Sequence, residues 1–241
     1  MLHLESDTPL AMAAVEAIHI GDTATLTRLL KENSGLATAR FGRGEPKSRT
    51  LLHIATDWPG NFPNGAQSVA ILVEHGAEVD ARSIGSHTET PLHWAASCDD
   101  VAVLDALLDH GADIEAKGAS IGGGTPLADA VAFGQWKAAR RLIERGALTN
   151  LWQAAGLGLM ERVKEHFAQS VSPNPEEITN AFWCACHGGQ RATAEYLLGQ
   201  GAEINWVGYD KLTPLDAANR SEAKELVEWL TSQGAESAPA K

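Results

Sequence analysis

Apolar residues recur along this chain at helical spacing in short pairs, never in one long run. The clearest pair spans 90–117, TPLHWAASCDDVAVLDALLDHGADIEAK. Thr90 is placed to cap a helix whose first position is Pro91, where a missing N–H costs nothing. Leu92, Ala95 and Ala96 fall on one face of that helix. After Ser97, Cys98, Asp99 and Asp100 a second helix is predicted, with Val101, Leu104, Leu107 and Leu108 at helical spacing. Gly111 follows its last turn, where a left-handed residue is wanted. Each helix is too short to stand alone in water, so the buried face of the hairpin needs a neighbour.

The chain supplies that neighbour by repeating itself. First helices are predicted to start at Met12, Thr50, Thr90, Thr125, Thr149, Asn180 and Thr213. The sixth residue of each is alanine: Ala17, Ala55, Ala95, Ala130, Ala154, Ala185 and Ala218. A close helix-to-helix contact explains this, since a larger side chain would overpack the stack at a cost of about 1–3 kcal/mol. The third position reads Ala14, Leu52, Leu92, Leu127, Leu151, Phe182 and Leu215, a continuous core stripe. The second helices exit through His-Gly-Ala, Arg-Gly-Ala or Gln-Gly-Ala.

The TPLH of 90–93, the TLLHIA of 50–55, the TPLA of 125–128, the TPLD of 213–216 and the Gly-Ala exits together resemble the ankyrin repeat. That resemblance implies an all-α solenoid of about seven helix-turn-helix repeats with short β-hairpin fingers, at a period near 33 residues. One domain over 1–241 is expected, with repeats at 10–40, 48–82, 88–117, 123–147, 148–171, 176–206 and 211–236, and a frayed tail at 237–241. The resemblance also implies that His53 and His93 hydrogen-bond backbone between neighbouring repeats. Partner-facing positions are implied just before each Thr and just after each alanine pair. Carried over, these are Asp57 and Trp58, His87 and Glu89, Ser97 and Cys98, Ala132 and Phe133, His187 and Gly188, and Tyr209 and Asp210. Trp94 joins them on the first-helix face.

Departures from the period carry information of their own. Start-to-start spacings run 40, 35, 24, 31 and 33 from Thr50 onward. The long one reflects an insertion at 57–65, Asp-Trp-Pro-Gly-Asn-Phe-Pro-Asn-Gly, whose prolines and glycines preclude helix. Trp58 and Phe62 in it either fold back as a small satellite cluster or form an aromatic lip on a binding groove. The short spacing at 147–149 leaves no room for a finger, which either means nothing or opens a pocket. Trp152 and Trp183 stand where the histidine of the motif is usual. They replace a polar bridge with apolar area, as core packing or as the wall of a ligand site.

Composition narrows the function classes. The formal net charge of −12 gives no basic stripe for phosphate, which excludes nucleic acid; the acidic excess reads either as solvated outer helix faces or as a preference for a basic protein partner. No run of 18 apolar residues suggests a membrane span, and the start MLHLESDTPL has no secretory pattern. Three cysteines make no disulfide framework, so a cytoplasmic location is expected. Cys184, Cys186 and His187 look metal-like, but on a helix only Cys184 and His187 share a face, and two ligands do not hold zinc. No metal or cofactor is expected. Gly122, Gly123 and Gly124 lack the strand and lysine of a phosphate loop and read as a flexible finger tip.

Two functions follow. The first is a non-enzymatic binding module that holds a protein partner on its concave finger and inner-helix face, through Asp57, Trp58, Phe62, His87, Glu89, Trp94, Cys98, Phe133, Trp152, Trp183, His187, Tyr209 and Asp210. The second is a small-molecule site or an unusual enzyme of lyase, isomerase or hydrolase type, with a pocket formed at the missing finger and the 57–65 insertion and, if an enzyme, Asp57, His87, Glu89 and Asp99 as candidate acid–base groups.

Overall fold

The helical hairpins predicted from the apolar pattern are present. The computed structural model describes residues 2–42 and 48–239. The chain divides into two compact units, Met1–Ala147 and Leu148–Lys241. No helix among the described residues is long and apolar enough to cross a membrane.

The first unit holds β1 (His3–Glu5), α1 (Pro9–Ile20), α2 (Thr23–Glu32), β2 (Arg40–Gly42), α3 (Leu51–Ala55), α4 (Gly65–Glu74), α5 (Pro91–Ser97), α6 (Val101–Asp109), α7 (Pro126–Ala132) and α8 (Trp136–Glu144). Each odd-numbered helix packs on the even one that follows it. First helices stack as α1, α3, α5, α7, and second helices as α2, α4, α6, α8. Strand pairing among the described residues is sparse. β1 and β2 run parallel, with Leu4 opposite Phe41, and single bridges join Phe41 to Arg49 and Ser48 to Ile84.

The second unit holds α9 (Leu151–Gly156), α10 (Met160–Phe167), α11 (Pro175–His187), α12 (Arg191–Gly199), α13 (Pro214–Arg220) and α14 (Lys224–Ser232), with a 3-10 turn at Tyr209–Lys211. Its first helices stack as α9, α11, α13 over a core containing Phe182, Ala185 and Ala218.

Ala17, Ala55, Ala95, Ala130, Ala154, Ala185 and Ala218 are all buried, as are the seven residues of the third-position stripe. Three helix starts differ from the repeat register. α1 begins at Pro9, not Met12, because Thr8 and Pro9 supply a cap and a helical first position one turn earlier. α11 begins at Pro175, not Asn180, closed by a reciprocal Asn174–Glu177 capping box. In α9 Asn150, not Thr149, caps, in a box with Gln153.

Hydrogen bonds tie successive hairpins within each unit. The Thr50 N–H donates to His53 Nδ1, so the opposite Nε2–H faces and donates to the Glu89 carbonyl at 3.0 Å. His93 repeats the arrangement between Thr90 and the Gly124 carbonyl. Burial holds both imidazoles down to about 4, so they are neutral. Trp183 takes over this role in the second unit, its Nε1–H donating to the Leu212 carbonyl at 2.9 Å. The polar bridge expected to be lost there is therefore kept, because an indole has its donor on the far edge. The three-glycine finger forms a closed turn. Gly118 and Ala119 N–H both donate to the Gly124 carbonyl, and Gly122 and Gly123 adopt left-handed φ of 60° and 68°. The tail is likewise held. Glu236 N–H donates to Asn205 and Ala238 N–H to Asp216, while residues 240 and 241 lie outside the described residues.

Candidate functional site

The insertion of the second hairpin builds one wall of a groove in the first unit. It is braced from both sides. Asn64 Nδ2 donates to the Gly21 carbonyl at the α1–α2 turn, and Asn61 N–H donates to Asp100 Oδ2 at the α5–α6 turn. Gly60 lies so close to Cys98 that an added Cβ would stand 2.7 Å from the cysteine Cβ. Gly65 is already the buried first residue of α4, so the irregular stretch ends one residue earlier than its composition suggests. The two aromatic residues part company. Phe62 folds back and stacks on His19 of α1 at 4.5 Å between ring centroids. Trp58 stands 80% exposed.

The groove has a volume of about 490 Å³. Asp57, Trp58, Glu89, Trp94, Cys98 and Phe133 line it, with Thr56, Ser97, Ser120 and Gln135. Seven positions singled out from sequence, Ser97 among them, thus converge. Asp57 is ion-paired to Arg49. Trp94 packs edge-on against His53, and its Nε1–H donates to Glu89 Oε2 at 3.0 Å. Phe133 is half exposed at the end of α7. Cys98 is a poor nucleophile here: burial, and then Asp57 and Asp100, push its thiol up to about 11.

Glu89 and Trp94 also line a second groove of about 420 Å³, together with His87, Arg49 and Ser48. Asp99 lies in neither. It adopts φ 54°, and its Oδ1 accepts from Ala138 N–H at 2.7 Å, capping α8 of the next hairpin. Asp100 caps its own helix through Val103 N–H. The four acid–base candidates are therefore not gathered in one place. Asp57 shares a groove with Glu89, His87 shares the other with Glu89, and Asp99 serves a helix end.

Asp129 was not among the sequence candidates. It occupies the fifth position of its first helix, where the neighbouring hairpins carry Ile54 and Trp94. Reading that column for acids among apolar residues would have found it. Its side chain is fully buried. Ser120 Oγ donates to Asp129 Oδ1 at 3.2 Å, and Ser120 N–H donates to Glu89 Oε1 at 3.1 Å. Asp129 Oδ2 has no donor. Burial, followed by the Glu89 carboxylate, pushes the Asp129 carboxyl up to about 7. The protonated, neutral form of Asp129 is thereby favoured.

The remaining sequence candidates lie in the second unit. Trp183 stacks on His187 at 5.4 Å and meets the edge of Tyr209 at 5.1 Å. Asp210 pairs with Arg220, whose Nη2 donates to His187 Nδ1. Trp152 lies apart from these, in a groove of about 400 Å³ with Asn150, His166 and Glu177. Burial pushes the thiols of Cys184 and Cys186 well up.

Successive helical hairpins joined through a motif histidine or its tryptophan substitute define a helical repeat protein. The comparisons make the class specific. A family model described as ankyrin repeats (3 copies) matches residues 83–151. The ankyrin repeat and KH domain-containing protein CBG24701 of Caenorhabditis briggsae is 30% identical over 232 residues, covering 92% of this chain and 8% of its own length. The ankyrin repeat and KH domain-containing protein mask-1 of Caenorhabditis elegans is 29% identical over 121 residues, 45% of this chain and 5% of its own. The chain is an ankyrin repeat protein, and it spans only a small part of the length of these relatives. Ankyrin repeats generally mediate protein–protein interaction.

Proposed function

We propose that this protein is a binding module whose first unit holds a partner protein in the groove between Trp58, Trp94 and Phe133. The observation that carries the reading is the convergence there of Asp57, Trp58, Glu89, Trp94, Cys98 and Phe133, positions selected from sequence alone. Exposed aromatic side chains beside a partly paired acidic wall suit a basic partner with apolar neighbours. Trp58 acts as an adjustable lip, because its backbone is braced while its ring is bare.

A photo-crosslinking amino acid placed at Phe133, and separately at Glu144 on α8, tests this in an extract of the organism that makes the protein. A discrete protein adduct from the Phe133 position, absent from the Glu144 position, is expected. Equal labelling from both, or none from Phe133, overturns the reading. A small-molecule occupant is the second reading, favoured by the groove's ligand-sized volume. Native mass spectrometry of the gently purified protein reports it as an added mass.

A further inference from the structure

The acidic wall of this groove is not electrically balanced. Glu89 carries two hydrogen bonds, one from the Trp94 indole N–H and one from the Ser120 backbone N–H. Both donors are neutral. A carboxylate has about four acceptor positions, so room remains for further donors. Behind Glu89, across Ser120, lies the wholly buried Asp129, with one oxygen bonded to Ser120 and the other without a donor. Asp57, on the opposite wall, is already answered by Arg49 of the same unit. The uncompensated charge in the groove therefore belongs to Glu89, with the Asp129 carboxyl buried behind it.

We propose that the bound segment contributes an arginine, whose guanidinium pairs with Glu89 while its flat face lies against the aromatic side chains of the groove. This deepens the protein-binding reading and rests on it. Three features select the guanidinium. Glu89 offers free acceptor positions to a forked donor, which forms two parallel hydrogen bonds with a carboxylate. Trp94, Trp58 and Phe133 line the same groove and offer ring faces to a planar cation, which stacks better than a compact ammonium. Asp129 acts from behind as a positioning residue. Its buried group costs free energy while no cation is near, and a cation over Glu89 relieves that cost. The net charge of −12 draws such a partner toward the chain in the first place.

The test uses the whole chain and a defined probe, N-acetyl-arginine methylamide, followed through the indole N–H signals of Trp94 and Trp58 by NMR. The comparison probes are the isosteric, uncharged citrulline derivative and the lysine derivative. Saturable shifts with the arginine probe are expected, with binding about tenfold weaker for citrulline, the worth of one charge-assisted contact. Glu89→Gln brings the arginine probe down to the citrulline level, and Asp129→Asn weakens arginine binding without altering citrulline. Equal binding of arginine and citrulline overturns the proposal, and equal binding of lysine overturns the choice of guanidinium. The wild-type comparison decides the matter even where a variant fails to fold. A Phe133 crosslink to a protein that persists alongside equal arginine and citrulline binding sinks this inference alone. Loss of the crosslink with arginine preference intact sinks the protein-binding reading instead.

Discussion

The Trp183 indole Nε1–H and the Leu212 carbonyl oxygen, 29 positions apart in sequence, lie 2.9 Å from one another. Trp183 thereby joins its hairpin to the next as His53 does through the Glu89 carbonyl. Trp183→Phe keeps most of the ring and deletes the donor. The Leu212 carbonyl keeps the Gly208 N–H as a donor, so the expected cost is about 1 kcal/mol, the net worth of one hydrogen bond, read from urea unfolding. An unchanged midpoint would show that the bond contributes nothing and that the ring alone holds the joint.

Asp99 carries two separable duties, a left-handed backbone and a cap on α8. Asp99→Gly keeps the backbone freedom and loses the cap. Asp99→Ala loses both, and Asp99→Asn keeps both. Stability is expected to fall in the order Asn, Gly, Ala, with the Ala variant down by about 1–2 kcal/mol. Thermal unfolding of the three variants checks the order, and Gly falling below Ala would dismiss the backbone contribution.

The insertion predicts a contrast between its two aromatic residues. Trp58→Ala is expected to change stability by less than about 0.5 kcal/mol, as exposed substitutions usually do. Phe62→Ala removes the stack on His19 and is expected to cost about 1–2 kcal/mol. Equal losses from both would mean that Trp58 has packed against the body of the unit.

Ala95→Leu places three extra carbons where α5 meets its neighbours. A loss of about 1–3 kcal/mol is expected in chemical denaturation. Full retention of stability would refute the close-contact explanation of the alanine column.

The Asp129 carboxyl gives a pH signature whose sign is fixed. Its folded value, about 7, stands above the ordinary 3.8. Between these values the folded chain keeps a proton that the unfolded chain gives up, so stability falls as pH rises, by ~1.4 kcal/mol per pH unit at most. His53 and His93 act oppositely. Held down to about 4, they add stability above 6.5 that is lost as pH falls toward 4. Comparing Asp129→Asn with the parent cancels the histidines. The melting temperature of the variant minus that of the parent is expected to grow from about pH 4 to about pH 7. A flat difference would place the carboxyl back in its ordinary range.

The repeat and its alanine column were legible in sequence because they recur in phase, and with them seven of the ten positions that line the groove, but not Thr56, Ser120 or Gln135. What escaped was set by single contacts. Thr8–Pro9 and Asn174–Pro175 are ordinary helix starts that lie outside the repeat register, so counting from the alanines starts both helices late. Trp183 in a histidine slot reads as lost polarity until the position of its donor is seen. The role of Asp99 depends on a helix 39 residues away, and local sequence carries no sign of it. Asp129 stands in the fifth position, between the third- and sixth-position columns that mark the repeat, so the apolar pattern does not point to it.

His53, His93 and Trp183 all find their partners among main-chain carbonyls, those of Glu89, Gly124 and Leu212. Every residue type presents the same carbonyl. The hydrogen bonds therefore make no demand on the side chains of the three accepting residues, although Gly124 is constrained by the nearby Ala128 and Leu212 by the core. Glu89 is the third: its carbonyl belongs to the frame, while its carboxylate faces the groove. Within one residue the part that must stay constant is separated from the part free to diverge, so a lineage can change what it recognises without first destabilising what it is built on.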